Sequence, residues 1–222
     1  MYPLKKGTFA KQADVGFVQE FMEIRDRDGA LLLSTDSPSL RGASLAWARL
    51  PKVNLAGSDL GGVNLQSAFL ERSDFSDAFL EYANLRYAKL DMSDFDGAKI
   101  AFADFTDASM EGVTLDDADL SHAILRGADL YWARMFRSKL VSADLENAHA
   151  EGANFIGADL RRANLRGAGL GTSNVGTPTQ LSGADLTDSI LDGTNFEGAT
   201  YNDGTKFPSG FDPIACGLKK ID

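Results

Sequence analysis

Cysteine is almost missing from this sequence. Cys216 stands alone, which rules out an internal disulfide framework, and with only His122 and His149 beside it the paired Cys/His spacing of common zinc sites is absent too. Such usage fits a reducing compartment. No apolar run reaches the ~18 residues of a membrane span. The opening Met1-Tyr2-Pro3-Leu4-Lys5-Lys6 is basic but leads into no apolar stretch. The expectation is a cytoplasmic protein, neither membrane-bound nor secreted. Positive charge is also short: 22 lysines and arginines face 32 aspartates and glutamates, a formal charge of −10. Without a basic stripe to displace counterions from phosphates, direct nucleic-acid binding is not expected. No phosphate-cradling loop and no nucleophile with its base is spelled out, so neither an enzyme, a cofactor nor a metal is expected.

What the chain has in excess is a step of five. From Leu40 to Val175 every fifth residue is large and apolar, Ala150 excepted, and two residues earlier sits a small one, as at Ala83, Ala103, Ala118 and Ala128. The unit reads A-[D/N]-[L/F]-x-x. A helix cannot use it, because successive centres would fall about 140° apart at roughly 100° per residue. A long strand, with a period of two, cannot either. A chain that runs extended for three residues and then turns a corner can: the small residue and the centre point inward and three residues face water. Stacking one coil on the next then satisfies the backbone. Period five alone leaves three or four sides open.

The pattern resembles the pentapeptide-repeat family over residues 38–201. The resemblance implies an all-β fold, a right-handed quadrilateral β-helix of about eight coils with 20 residues in each, roughly 40 Å long at the strand spacing. Stacking then falls at intervals of 20: Phe75 on Phe95 inside, with Phe155 further along, and Tyr82, Phe102 and His122 outside. Val175 is followed by Leu181, six residues on, and Gly176-Thr177-Pro178-Thr179-Gln180 has the composition of a loop or bulge.

Residues 1–37 and 202–222 are expected to cap the open ends, which would otherwise expose apolar interior and unpaired backbone. At the first end a helix or irregular segment is expected to about residue 22, Val18, Phe21 and Met22 following Asp14, and then a hairpin around Asp28-Gly29. At the other, Phe207 and Phe211 should lie over the last coil, in a segment that resembles the one closing cyanobacterial members of the family and implies that origin. Cys216 reads as an inert, partly buried thiol nearby.

Two surfaces stand out. Residues 73–77, 93–97 and 113–117 fall on one side and bring together Asp74, Asp77, Asp94, Asp96, Asp116 and Asp117 without a basic residue, a docking face for a basic protein surface or a divalent cation. Phe79, Tyr82 and Phe102, with Tyr87 around the corner, are exposed aromatics of the kind that marks interfaces; Tyr131, Trp132 and Phe136 lie two coils on. The expected function is a non-enzymatic scaffold, monomer or weak dimer, that presents these surfaces to a protein partner. The alternative implied by the resemblance is a DNA-mimicking binder of type II topoisomerase (gyrase), against which Arg134, Arg137, Arg161, Arg162 and Arg166 gather toward the C-terminal half.

Overall fold

The computed structural model describes residues 6–9, 19–26, 28–35 and 39–222. From Leu40 onward each group of five ends in a β-turn. The N–H of the small residue donates to the carbonyl of the preceding centre, as in Ala83 to Leu80 at 3.0 Å and Ala118 to Leu115 at 3.2 Å. The residue just before it has a left-handed backbone, the mark of a type II turn. Glycine suits that corner, yet 18 non-glycine residues adopt it among the described residues, Tyr82 (φ 61°), Phe102 (φ 62°) and Arg72 (φ 59°) among them. The left-handed penalty of roughly 1–2 kcal/mol for each is offset by hydrogen bonds between rungs: the corner N–H of Tyr82 donates to Ala101 O at 3.2 Å and that of Phe102 to Ser121 O at 3.1 Å.

The Asp or Asn of the consensus has a local cause. Its side-chain oxygen accepts the N–H two residues on, which the corner leaves without a backbone partner: Asp74 from Ser76 at 3.1 Å, Asn84 from Arg86 at 3.2 Å and Asp104 from Thr106 at 2.9 Å.

Parallel bridges join residues 20 apart on four successive sides, Asp74↔Asp94, Phe79↔Lys99, Asn84↔Asp104 and Lys89↔Ser109. Each rung therefore takes 20 residues and four turns, which decides between three sides and four. Inside, both inward columns are fully buried, from Leu55 and Leu60 through Ala118 and Leu120 to Leu165, each large side chain contributing on the order of 1.5–3 kcal/mol. Phe75 and Phe95 stack at 4.7 Å, and Phe105 meets Phe95 edge-on at 6.2 Å. Serine fits the small column because its hydroxyl finds a backbone partner: Ser93 donates to Leu70 O at 2.8 Å and accepts the Ser73 N–H at 3.1 Å.

The five-step ends at Leu170, not Val175. Val175 is 69 % exposed, and the loop opens earlier than the 176–180 read from composition. Thr172 and Pro178 pair antiparallel at its base, and Thr179 and Gln180 have already returned to the wall. Bridges across the loop span 26 residues, Asn154↔Gln180 and Asp159↔Asp185, so six residues are inserted into one rung. Thr179 takes the small inward position, fully buried; its hydroxyl donates to Gly171 O at 2.8 Å and accepts the Gly152 N–H at 2.9 Å, sewing the loop's base to the rung before.

At the N-terminal end β1 (Lys6–Phe9), β2 (Gln19–Arg25) and β3 (Leu31–Thr35) form an antiparallel sheet in the order β1-β2-β3. Phe21 and Met22 are thus in a strand rather than a helix, because pairing with both neighbours extends the β2–β3 hairpin backward; Asp14 and Val18 lie outside the described residues. The hairpin itself turns where Asp28-Gly29 indicates. The Asp26 carboxylate accepts the N–H groups of Asp28 (3.0 Å) and Ala30 (2.7 Å), and Gly29 has φ 89°. Asn54 donates to Arg25 O at 3.0 Å, and Ile24, fully buried, closes the first rung.

At the other end the last strands, β4 (Thr200–Tyr201) and β5 (Lys219–Lys220), pair in parallel. Phe207 meets Tyr201 edge-on at 5.5 Å and stacks on Phe211 at 5.0 Å, while Phe211 meets Phe196 at 5.7 Å. These two phenylalanines cover the final rung as expected. Cys216 is exposed, not partly buried.

Candidate functional site

The acidic side stacks as the 20-residue interval requires, Asp74 pairing with Asp94 and Asp94 with Thr114. Its carboxylates serve the wall as well as the solvent. Asp94 accepts the Asp96 N–H and the Thr114 hydroxyl, both at 3.0 Å; Asp96 accepts the Asp116 N–H and Asp116 the Phe136 N–H, both at 2.9 Å. Burial, with the neighbouring Asp94 and Asp116 charges adding to it, raises the Asp96 pKa against the opposing hydrogen bonds from the Asp116 N–H and Thr114. The side does carry basic residues. One rung beyond Thr114 and Asp117 come Arg134 and Arg137. Arg134 pairs with Asp116, and Arg137 holds Asp117 through two bonds of 2.9 and 2.6 Å, which draws the Asp117 pKa below the usual carboxylate range. Unpaired acidity is thereby confined to Asp74, Asp77, Asp94 and Asp96. Among the described residues no group of three or more acidic, His or Cys side chains is arranged to hold a metal ion.

Of the aromatic residues, Tyr82 and Phe102 fall at corners of the neighbouring side and Phe79 on its wall. Tyr82 stacks on Phe102 at 5.0 Å, and Phe102 on His122 at 4.8 Å, with interplanar angles of 8° and 5°. Phe79 stands beside them, and a shallow groove of about 600 Å³ runs between Phe79, Tyr82 and Phe102, rimmed by Glu81 and by Arg41 paired with Asp59 at 2.9 Å. Tyr82 is 67 % exposed, and Phe79 and Phe102 are 46 % each. Tyr87 does not line this groove; it stands at the next corner, 5.5 Å from the Arg86 guanidinium. Tyr131 and Trp132 have a different task. They meet edge-on at 4.8 Å under the inserted loop, where the Tyr131 oxygen accepts the Asn174 N–H at 2.6 Å. Phe136 lies beneath Arg137, 4.5 Å away.

Several arginines of the C-terminal half are charge-paired, Arg161 with Asp159 at 2.6 Å and Arg166 with Asp192 at 3.3 Å, in addition to Arg134 and Arg137. The sequence reading missed a face of opposite character in the N-terminal half, formed by Arg49, Lys52, Arg72 and Lys89. Adding 20 to 52 leads to Arg72, and 49 leads through Phe69 to Lys89, so the interval that located the aromatic column also contains this face.

The family model for pentapeptide repeats matches eight copies, over residues 39–77, 64–100, 78–117, 103–140, 138–174 and 179–200. No curated protein matches the sequence. Among solved structures, the chain is similar to HetL, a pentapeptide repeat protein involved in heterocyst differentiation regulation from the cyanobacterium Nostoc sp. strain PCC 7120. Identity is 36 % and the TM-score 0.61, over 65 % of this chain and 62 % of HetL; the chain thus spans under two thirds of that relative's length. It is also similar to a pentapeptide repeat protein of the Arabidopsis thaliana thylakoid lumen (32 % identity, TM-score 0.32, over 50 % of this chain and 71 % of that one). The plasmid-mediated fluoroquinolone resistance protein QnrB1 matches at 16 % identity and a TM-score of 0.40, over 81 % and 94 % of the two chains. The repeats, the ladder of 20-residue rungs and the HetL match together describe a right-handed β-helix solenoid, and the chain belongs to the pentapeptide-repeat family.

Proposed function

We propose that the protein is a non-enzymatic scaffold of about eight quadrilateral coils that docks a protein partner through the Phe79, Tyr82 and Phe102 groove, with the Asp74, Asp77, Asp94 and Asp96 strip around the corner. The observation that carries this reading is the exposed aromatic stack. Tyr82 and Phe102 keep two rings at left-handed corners in contact with water, beside a groove that offers both apolar surface and charge, and binding energy at interfaces concentrates in such aromatic anchors. A close-packed interior of alanine, leucine and phenylalanine supports the non-enzymatic reading, since it provides no chamber in which a nucleophile and base could meet. A cytoplasmic location and a cyanobacterial origin belong to the same proposal, the latter supported by the similarity to HetL.

Gyrase binding by DNA mimicry is the second reading. The net charge of −10 supports it, as does the pairing of Arg134, Arg137, Arg161 and Arg166 to carboxylates, which leaves fewer free cations on the rod than the sequence suggests. The two readings separate in one experiment. Supercoiling by purified gyrase is measured with added protein, beside capture of partners from host extract by wild type, Tyr82→Ala/Phe102→Ala and a variant with the six aspartates Asp74, Asp77, Asp94, Asp96, Asp116 and Asp117 changed to Asn. Scaffolding predicts no effect on gyrase and loss of specific partners with the aromatic variant. Inhibition of gyrase at low micromolar protein would replace the scaffold reading with mimicry.

A further inference from the structure

On the side that carries residues 48–52, 68–72 and 88–92, cations are stacked that form no ion pair among the described residues. Lys52 and Arg72 occupy successive corners, both with left-handed backbones and both exposed. Arg49 and Lys89 flank Phe69 in the adjacent column, bridged to it rung by rung. Among the described arginines only Arg49, Arg72 and Arg162 make no ion pair, and two of those three are on this face; Arg41, Arg86, Arg126, Arg134, Arg137, Arg161 and Arg166 each reach a carboxylate on their own or a neighbouring rung. Of the two acids here, Asp91 is engaged by the Ser109 hydroxyl at 2.7 Å and the Glu111 N–H at 3.0 Å, and Glu71 forms no ion pair among the described residues. Four positive charges against two negative leave an excess of two positive charges on a protein whose sum is −10.

The same face is partly apolar. The Arg49 guanidinium lies 4.3 Å over the Phe69 ring, which fixes the charge above an aromatic floor, and Met92 is 55 % exposed. With Pro51, Lys52, Arg72 and the two acids Glu71 and Asp91 these residues line a shallow groove of about 620 Å³. Like charges held one rung apart, about 4.8 Å at the strand spacing, repel unless something neutralises them. Glu71 and Asp91 offset the four cations only in part and, among the described residues, form no ion pair with them, which leaves the excess for an external anion.

We propose that the groove of Arg49, Lys52, Phe69, Arg72 and Met92, which Glu71 and Asp91 also line and which has Lys89 on the same face, binds an acidic segment of a partner polypeptide, one that sets carboxylates on either side of an apolar side chain. Charge complementarity selects the anion, and Phe69 and Met92 select the apolar residue between its charges. A nucleic-acid strand fits less well. From Arg49 to Lys89 the cations cover two rung steps, about 10 Å, and around the corner from Lys52 and Arg72 begins the side of Asp74, Asp77, Asp94 and Asp96, which repels a continuous phosphate backbone. This face lies on a different side from the aromatic groove, and its occupancy does not depend on what that groove binds.

The test uses the full chain and the fluorescence anisotropy of a labelled peptide alternating Glu and Asp with Leu, beside the same peptide with lysines for the acids and a single-stranded oligonucleotide. The acidic peptide should bind in the range of about 10–100 μM at low salt, with affinity falling as salt screens the contact. The Arg49→Glu/Arg72→Glu variant should lose tenfold or more, and Arg162→Glu, on another side, should bind like wild type. If charge reversal disturbs folding, as circular dichroism would show, Arg49→Gln/Arg72→Gln gives the reading instead, with a smaller loss in the same direction. Equal binding by wild type and the substituted groove would overturn the proposal. So would oligonucleotide binding as tight as that of the acidic peptide, or failure of the peptide to bind at millimolar concentration.

Discussion

The phenolic oxygen of Tyr131 accepts the backbone N–H of Asn174 at 2.6 Å, across 43 residues of sequence. The bond ties the six-residue insertion to an earlier rung, with Ser173 tucked inside and Asn174 and Val175 outside. Tyr131→Phe removes the acceptor and leaves the ring in place. The loss should be about 0.5–1.5 kcal/mol and local, because the base of the loop is still held by Thr179. Hydrogen exchange should therefore speed up at residues 173–177 while the amides of Leu165 and Leu170 keep their protection. Acceleration spread through the whole ladder would contradict a local role.

The two inward columns differ in the room they leave. Ala118 is in the small column, fully buried, and its rung is already filled by Leu115 and Leu120. Ala118→Leu should destabilise by about 1–3 kcal/mol or more through overpacking. Ala150 is in the centre column, where Leu130 and Leu170 are its neighbours 20 residues to either side, and Ala150→Leu should cost clearly less. Urea unfolding of both variants measures the difference, and equal losses would mean that the columns are misassigned.

Asp96 and Asp117 should respond to pH with opposite signs. Burial first, and then Asp94 and Asp116, raise the Asp96 pKa in the folded chain. Its contribution to stability is thus fully present below the unfolded pKa, about 3.9, and lost as pH rises through the higher folded value. The Arg137 hydrogen bonds lower the pKa of Asp117; its contribution is present above the unfolded pKa and lost as pH falls through the folded one. Asp96→Asn should then gain stability relative to wild type between pH 3 and pH 7, and Asp117→Asn should lose it, both differences shrinking in salt. Thermal melts across that range decide the matter; two variants with the same trend would refute the assignment.

The interior could be read from the sequence because it obeys one rule at every rung: a small residue, then a large one, at a step of five, with Ala83 and Leu85 or Ala118 and Leu120 as its instances. The caps obey it only in part, and there a short amphipathic pattern at Phe21 and Met22 lost to pairing between β2 and its neighbours. Val175 misled because it is apolar in the right phase, whereas what decides the loop is the antiparallel pairing of Thr172 with Pro178, a contact that no step of five contains. The acidic side was found but ended one rung early. Its neutralisation by Arg134 and Arg137 follows from the 20-residue interval, yet which carboxylates those arginines reach depends on side-chain conformations that the interval does not specify. The basic face is contained in the same interval, which aligns Lys52 with Arg72 and Arg49 with Lys89, but its lack of ion pairs depends on side-chain conformations that the interval does not specify.

The corners allow strain and contact to be measured against each other. Ser142 and Phe102 occupy the same position of the turn, with φ of 58° and 62°. Changing either to glycine removes a left-handed penalty of roughly 1–2 kcal/mol in the folded state and adds flexibility to the unfolded chain, which cancels part of that gain. For Ser142, with a short side chain to lose, the balance should be neutral or slightly stabilising. Phe102 also gives up its stacks on Tyr82 and His122, each such pair contributing about 0.5–1.5 kcal/mol beyond the area it covers. Phe102→Gly should therefore be destabilising where Ser142→Gly is not. If the two variants melt together, the exposed rings do not support the rung stack. In that case Tyr82 and Phe102 stand at their corners for a partner alone, and the capture experiment on Tyr82→Ala/Phe102→Ala reads binding without a stability term.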